Sequence, residues 1–245
     1  MLAQQTMTID GSDNNLMDAC ESGALYRLMS WLSPAYPVGA FSYSGGLEWA
    51  VEAGDVKDAA TLADWLGSMI THGSVFCDAV FFVHAHTASN IGNDEALRTV
   101  AELASAFASS KERHLETTAQ GRAFMDATLA AWPCDALTRL DAIWPKAIAY
   151  PVAVGVAAAG HAIPLTPALG AYLHAVVANL ISAGVRLIPL GQTAGQRVLA
   201  ELEPVVAAAA QAATATPLDQ VGSATFRTDI ASMRHETQYT RLFRS

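Results

Sequence analysis

Charge is what this chain has least of. Only 15% of its 245 residues are Asp, Glu, Lys or Arg, whereas 52% are hydrophobic, so broad apolar surfaces have to be hidden inside the fold or against partners. Basic residues are the scarcer sign: 14 Lys and Arg against 23 Asp and Glu, a formal net charge of −9. That argues against nucleic acid as the main ligand, because phosphate contacts need clustered cations. Cysteine is almost missing too. Cys20, Cys77 and Cys134 are odd in number, far apart and in no CxxC pair, which speaks against a disulfide framework or a structural zinc site and fits a reducing, cytoplasmic setting. The first fifteen residues, MLAQQTMTIDGSDNN, have neither a basic n-region nor an apolar run; they read as a disordered lead, not as a signal peptide or membrane anchor.

Catalytic signatures are missing as well. GxxxxGK[ST] and GxSxG do not occur, and the glycine-containing stretch PVGAFSYSGG holds no Lys. Ser42 and Ser44 have no partner nearby in sequence, although a triad is assembled in space and leaves no such local mark. His235-Glu236 opens like HExxH, but the fifth position is Tyr239, so these two side chains read as capping, pairing or contacting a partner. The densest soft-ligand group is Cys77, His84 and His86. On a helix the first two share a face, while His86 points roughly 200° away from His84, so the three do not grip one ion; a single His shared across a dimer stays open. No catalytic residue, metal site or cofactor is therefore assigned, and the chain is not read as an enzyme.

What is present is helical periodicity almost throughout, without a period-two stretch of β-branched residues. The expected fold is all-α, a single globular bundle of about ten helices with a C-terminal tail. Helices are predicted near 16–32, 46–53, 59–72, 75–89, 93–109, 111–131, 135–143, 151–162, 167–187, 192–202 and 204–212, with a short one around 228–237, each bounded by Gly or Pro turn chemistry. The domain limits follow: a lead over 1–15, an all-α domain over 16–212 and a partner-binding tail over 213–245. Between Lys146 and Arg186 no charged residue occurs. Pro151, Pro164, Pro167, His161, His174 and Asn179 interrupt that interval, so it reads as two buried helices and not as a membrane span; such a pair equally suits burial against another subunit.

Two stretches have the composition of contact surfaces. Residues 28–48, LMSWLSPAYPVGAFSYSGGLE, combine two prolines, glycines and the rings of Tyr36, Phe41 and Tyr43, which reads as a shaped loop or as a packed corner between helices. The tail interleaves Arg227, Arg234, Arg241 and Arg244 with Phe226, Tyr239 and Phe243, residue types that anchor interfaces; the plain alternative is a frayed, solvated end. The candidate partner-binding residues are Phe41, Tyr43 and Glu48 in the first stretch and Arg234, His235, Glu236, Tyr239, Arg241, Phe243 and Arg244 in the second.

The strings WLSPAYPVGAFSYSGGLEWA, ETTAQGRAF, YPVAVGVAAA, VRLIPLGQ and GSATFRTDIASMRHETQYTRLFRS together resemble the urease accessory protein UreF family, from about Leu25 to Ser245. The resemblance implies an all-α, non-catalytic protein that dimerises, binds the accessory protein called UreD or UreH, and recruits the nickel-carrying GTPase UreG, so that nickel is inserted into the urease apoprotein. It places Arg241 where the family has an arginine implicated in recruiting the GTPase, and Phe41, with Tyr43 beside it, at an aromatic position of similar reputation. Gly45 departs from relatives that carry a larger polar residue there. A second implied role is activation of the GTPase, for which a catalytic arginine finger would have to supply about 10³ to 10⁵ in rate.

Overall fold

The computed structural model describes the backbone of residues 11–245 and the side chains of residues 21–245. The lead expected over 1–15 lies outside that range up to residue 10; residues 11–15 belong to the first helix. The helices are α1 (Gly11–Trp31), α2 (Leu47–Glu52), α3 (Ala59–His72), α4 (Ser74–Asn90), α5 (Asp94–Ala106), α6 (Lys111–Ala131), α7 (Asp135–Ile143), α8 (Tyr150–Gly160), α9 (Leu165–Leu187), α10 (Gln192–Ala215) and α11 (Phe226–His235), with 3-10 turns at Ala40–Ser42 and Leu218–Gln220. Among the described residues there is no strand, and the all-α expectation holds.

The apolar, small-residue sequence of α8 is explained by its place at the centre. Residues Tyr150 to Ala158 are all buried, and the helix is enclosed by α4, α6, α7 and α9, so no side of it needs a polar residue. Close approach requires glycine here. A Cβ on Gly155 would lie 2.7 Å from the Phe82 carbonyl oxygen of α4, and one on Gly121 of α6 would lie 2.0 Å from the Ile148 carbonyl oxygen. Three helix starts are capped by short polar side chains: Asp58 forms a capping box with Thr61, Asn93 accepts from the Ala96 N–H, and Ser110 accepts from the Arg113 N–H.

Proline is where the sequence misleads. Pro204 was expected to separate two helices, yet α10 runs through it from Gln192 to Ala215. A proline inside a helix removes one hydrogen bond and costs about 3 kcal/mol. The packing of α10 along α9, α3 and α4 offsets that loss. Pro167 likewise lies in the first turn of α9, where its missing N–H is unpaired in any case, so it does not interrupt the helix. As a result α9 is an unbroken 23-residue helix; it, the stretch Ala59–Asn90 and α10 are long and apolar enough by composition to cross a membrane. Here all three pack into the bundle.

Replacing Gly121 by alanine is expected to force α6 away from the strand of chain leading into α8. Overpacking of this kind costs about 1–3 kcal/mol, and the thermal midpoint should drop by roughly 2–4 °C per kcal/mol. A variant melting with the wild type would show that α6 is not seated against Ile148 as described.

Candidate partner-binding surface

The loop between α1 and α2 owes its shape to glycine at three positive-φ positions, Gly39 (φ 73°), Gly45 (φ 60°) and Gly46 (φ 82°), a backbone region that other residues enter only at a cost. Gly46 is further constrained by contact: a Cβ there would lie 2.6 Å from the Ser232 backbone nitrogen of α11. This brings α11 directly over the start of α2. At the same place Ser110, the cap of α6, meets Ser232 through their hydroxyls, 2.6 Å apart. Tyr36 is tied down at the other end of the loop by its hydroxyl, 2.8 Å from that of Thr128.

Three buried glutamates then hold the C-terminal segment. Glu48, in the first turn of α2, receives the Leu242 N–H (2.7 Å) and the Phe243 N–H (3.0 Å), and lies 3.0 Å from Nε2 of His235. Glu112, in the first turn of α6, lies 2.6 Å from Nδ1 of His235 with one oxygen and receives Nη1 of Arg241 (2.8 Å) with the other. The fully buried His235 thus has a carboxylate oxygen within hydrogen-bonding distance of each ring nitrogen. Glu116, one turn further along α6, accepts from the Ser245 hydroxyl (2.9 Å). The Ser245 carbonyl in turn accepts from the Ser44 N–H (2.6 Å) and the Ser44 hydroxyl, and the Ser42 carbonyl accepts from the Arg244 N–H (2.8 Å). Glu236 caps α6 from outside by accepting the Lys111 N–H (2.9 Å).

These contacts join the loop and the tail into one surface. Its connecting piece is Arg186, near the end of α9. The guanidinium carbon lies 3.6 Å from the centre of the Phe41 ring and 4.2 Å from that of Phe243, while Nη2 donates to the Phe41 carbonyl (2.9 Å). Asn179, two turns earlier on the same helix, donates to the Ala40 carbonyl (3.0 Å). Phe41 is left 62% exposed, the Arg241 side chain 40% exposed, and Tyr239 and Leu242 open to solvent, with Arg234 and Arg244 also on the outside. Tyr43, Glu48, His235 and Phe243 are buried. They lie beneath this surface and hold it up.

Sequence reasoning picked out Phe41 and Arg241 but not Arg186, Asn179, Ser44, Glu112 or Glu116. Some signal was there: Glu116 and Arg186 sit inside the strings ETTAQGRAF and VRLIPLGQ, and Arg186 closes the long charge-free interval. The tail read as frayed on composition alone is docked over its last four residues.

Behind the loop lies a cavity of about 230 Å3, whose lining includes Tyr36, Phe41, Asn179, Asp78, Arg113 and Glu116. Arg113 bonds to Asp78 and lies 3.5 Å from Glu116; the Tyr172 hydroxyl donates to Asp78 (3.5 Å). Burial works against the Arg113 charge, but the two carboxylates more than offset it and hold the guanidinium protonated. Burial pushes the Glu116 carboxyl above its ordinary range, with Arg113 only partly opposing this. The Cys77 thiol is pushed up to about 12, chiefly by burial. His84 and His86 do not converge with it: their Nε2 atoms lie 2.9 Å from the carbonyls of Thr216 and Ile163 respectively. Among the described residues no three His, Cys, Asp or Glu side chains are grouped as a metal site.

An all-α bundle whose buried charges serve to fix a surface loop against a C-terminal segment has the build of an accessory or binding protein. Comparison with known proteins agrees. The UreF family model matches residues 56–203. The chain is 63% identical over 227 residues to the urease accessory protein UreF of Bradyrhizobium diazoefficiens, covering 93% of this chain and 94% of that protein. It is 62% identical over 229 residues to the protein of the same name from Rhodopseudomonas palustris strain BisB5, covering 94% of each. The chain belongs to the UreF family of urease accessory proteins.

The raised Glu116 carboxyl makes a signed prediction. The folded chain holds this proton more tightly than the unfolded one, so as pH rises above about 4 the group's contribution to stability falls. Glu116→Gln removes that titration, and its stability relative to the wild type should therefore improve from pH 4 to pH 7. Urea denaturation midpoints of both proteins across that range check it; a difference that moves the other way would mean that Arg113 outweighs burial.

Proposed function

We propose that this protein acts in cytoplasmic urease maturation as a non-catalytic scaffold, bridging a UreD/UreH-type accessory protein and a UreG-type GTPase so that nickel reaches the urease apoprotein. Membership in a family of urease accessory proteins supports the setting. The observation that carries the partner role is the surface made jointly by the loop and the tail, on which Phe41 and Arg241 stand exposed above a buried polar support. Arginine and aromatic side chains presented on a fixed backbone suit a partner-binding anchor, because little conformational freedom is lost on docking. A catalytic arginine finger is the less favoured reading: Arg241 is tied back to Glu112, and extending it into a partner's nucleotide site would break that pair. The apolar stripe Phe226, Ile230 and Met233 along α11 is exposed and provides a separate face for the UreD/UreH-type partner.

Arg241→Ala is expected to weaken capture of the GTPase by roughly thirtyfold, the effect of losing about 2 kcal/mol, with helical content unchanged. Titration of the complex of this protein and its UreD-type partner with the GTPase measures it. Normal capture would remove Arg241 from the surface.

We also propose that the chain is a homodimer through α9 and α1. The partly or fully exposed residues Gly170, Ala171, His174, Ala175, Ala178 and Ser182 include no Asp, Glu, Lys or Arg, and Leu25, Tyr26 and Met29 of α1 are exposed. Light scattering at micromolar concentration should give twice the 25.8 kDa chain mass, and Met29→Glu should shift it toward the monomer. A monomeric wild type would exclude this face as a stable interface.

A further inference from the structure

The array beneath the surface contains one side chain placed to control another. Glu112 leaves α6 in its first turn, is buried, and divides its two oxygens between His235 of α11 and Arg241 of the tail, at 2.6 and 2.8 Å. His235 is fully buried and bears on Glu48, whose oxygens hold the Leu242 and Phe243 amides at 2.7 and 3.0 Å. Arg241 itself has no other ion-pair partner among the described residues. Its place on the surface therefore depends on a carboxylate that belongs to a different helix and points inward. Apolar packing does little to hold it, since Leu242 and Tyr239 beside it are exposed and Phe243 is the one apolar side chain buried in this segment.

We propose that Glu112 is a positioning residue for partner capture: through its shared contact with His235 and Arg241 it sets the Arg241 guanidinium and the adjoining tail backbone in the geometry the GTPase reads. The proposal rests on the reading of the loop–tail surface given above. Its physical basis is that an arginine side chain free to sample its rotamers loses rotamer entropy when fixed by a partner. Glu112 fixes it beforehand, so that this loss does not fall on the binding step. Glu112 need not touch the partner to have this effect.

The isosteric variant Glu112→Gln keeps an acceptor near His235 while removing the charge that holds Arg241. It is expected to weaken GTPase capture by about tenfold. Because it acts through Arg241, the double variant Glu112→Gln/Arg241→Ala should capture no more weakly than Arg241→Ala alone. Losses that add in the double variant, or full capture by Glu112→Gln, would overturn the proposal. Hydrogen exchange supplies a readout independent of the GTPase: the Leu242 and Phe243 amides should exchange faster by about tenfold or more in Glu112→Gln, while amides in the middle of α8 stay protected. Unchanged exchange at 242 and 243 would also overturn it. Should Glu112→Gln not fold, Arg241→Ala is measured instead, in which the same two amides should loosen because the pair is broken from the other side; protection as in the wild type would refute the coupling. If Arg241→Ala captures the GTPase normally but its tail amides loosen, the partner reading fails and the positioning contact stands.

Discussion

A carboxylate taken out of water has to be met by donors, and three such groups organise one whole end of this molecule. Burying an unpaired charge costs several kcal/mol even after relaxation, so Glu48, Glu112 and Glu116 are compatible with this fold only while His235, Arg241, Ser245, Arg113 and the amides of Leu242 and Phe243 are in place. The dependence runs both ways. The C-terminal segment buries little apolar area of its own, and without the three acceptors it would have small reason to lie where it does. The loop before α2, the starts of α2 and α6, the end of α9 and the tail are thus parts of one cooperative unit.

The rest of the bundle serves this end by keeping the helices that carry the acceptors at fixed separations. α8 is the spacer: small, uncharged and enclosed, it lets α4 and α6 approach to backbone contact at Gly155 and Gly121. The first two turns of α6 then present Glu112 and Glu116 on one side, four residues apart and so on the same helical face. α9 contributes from its far end, where the first charged residue after the long neutral interval, Arg186, lies against both aromatic rings. A protein with so few charges has placed many of those it has at this one surface, which is where a binding role can be argued from physical chemistry as well as from family membership.

How much of this was legible beforehand depends on how local the cause is. The all-α fold and nearly every helix boundary follow from the 3.6-residue repeat and from turn chemistry, both of which act over a few neighbouring residues. Pro204 was misread because its local penalty is real and is offset only by packing along the whole of α10. The family strings pointed to the loop and the tail, and so to Phe41 and Arg241, without saying what supports them.

The sequence by itself therefore determined that this chain is helical, that it is poor in charge and must hide apolar faces, and that it belongs with proteins sharing its loop and tail motifs. Only the tertiary structure decided which of the candidate residues face outward and which lie beneath. Glu48 and His235 are 187 positions apart, and Glu112 and Arg241 are 129 apart. No periodicity links such residues; they meet because helices built from local rules are packed around α8, and a glutamate becomes a buried anchor only after the donors that neutralise it have been brought to it from the other end of the chain.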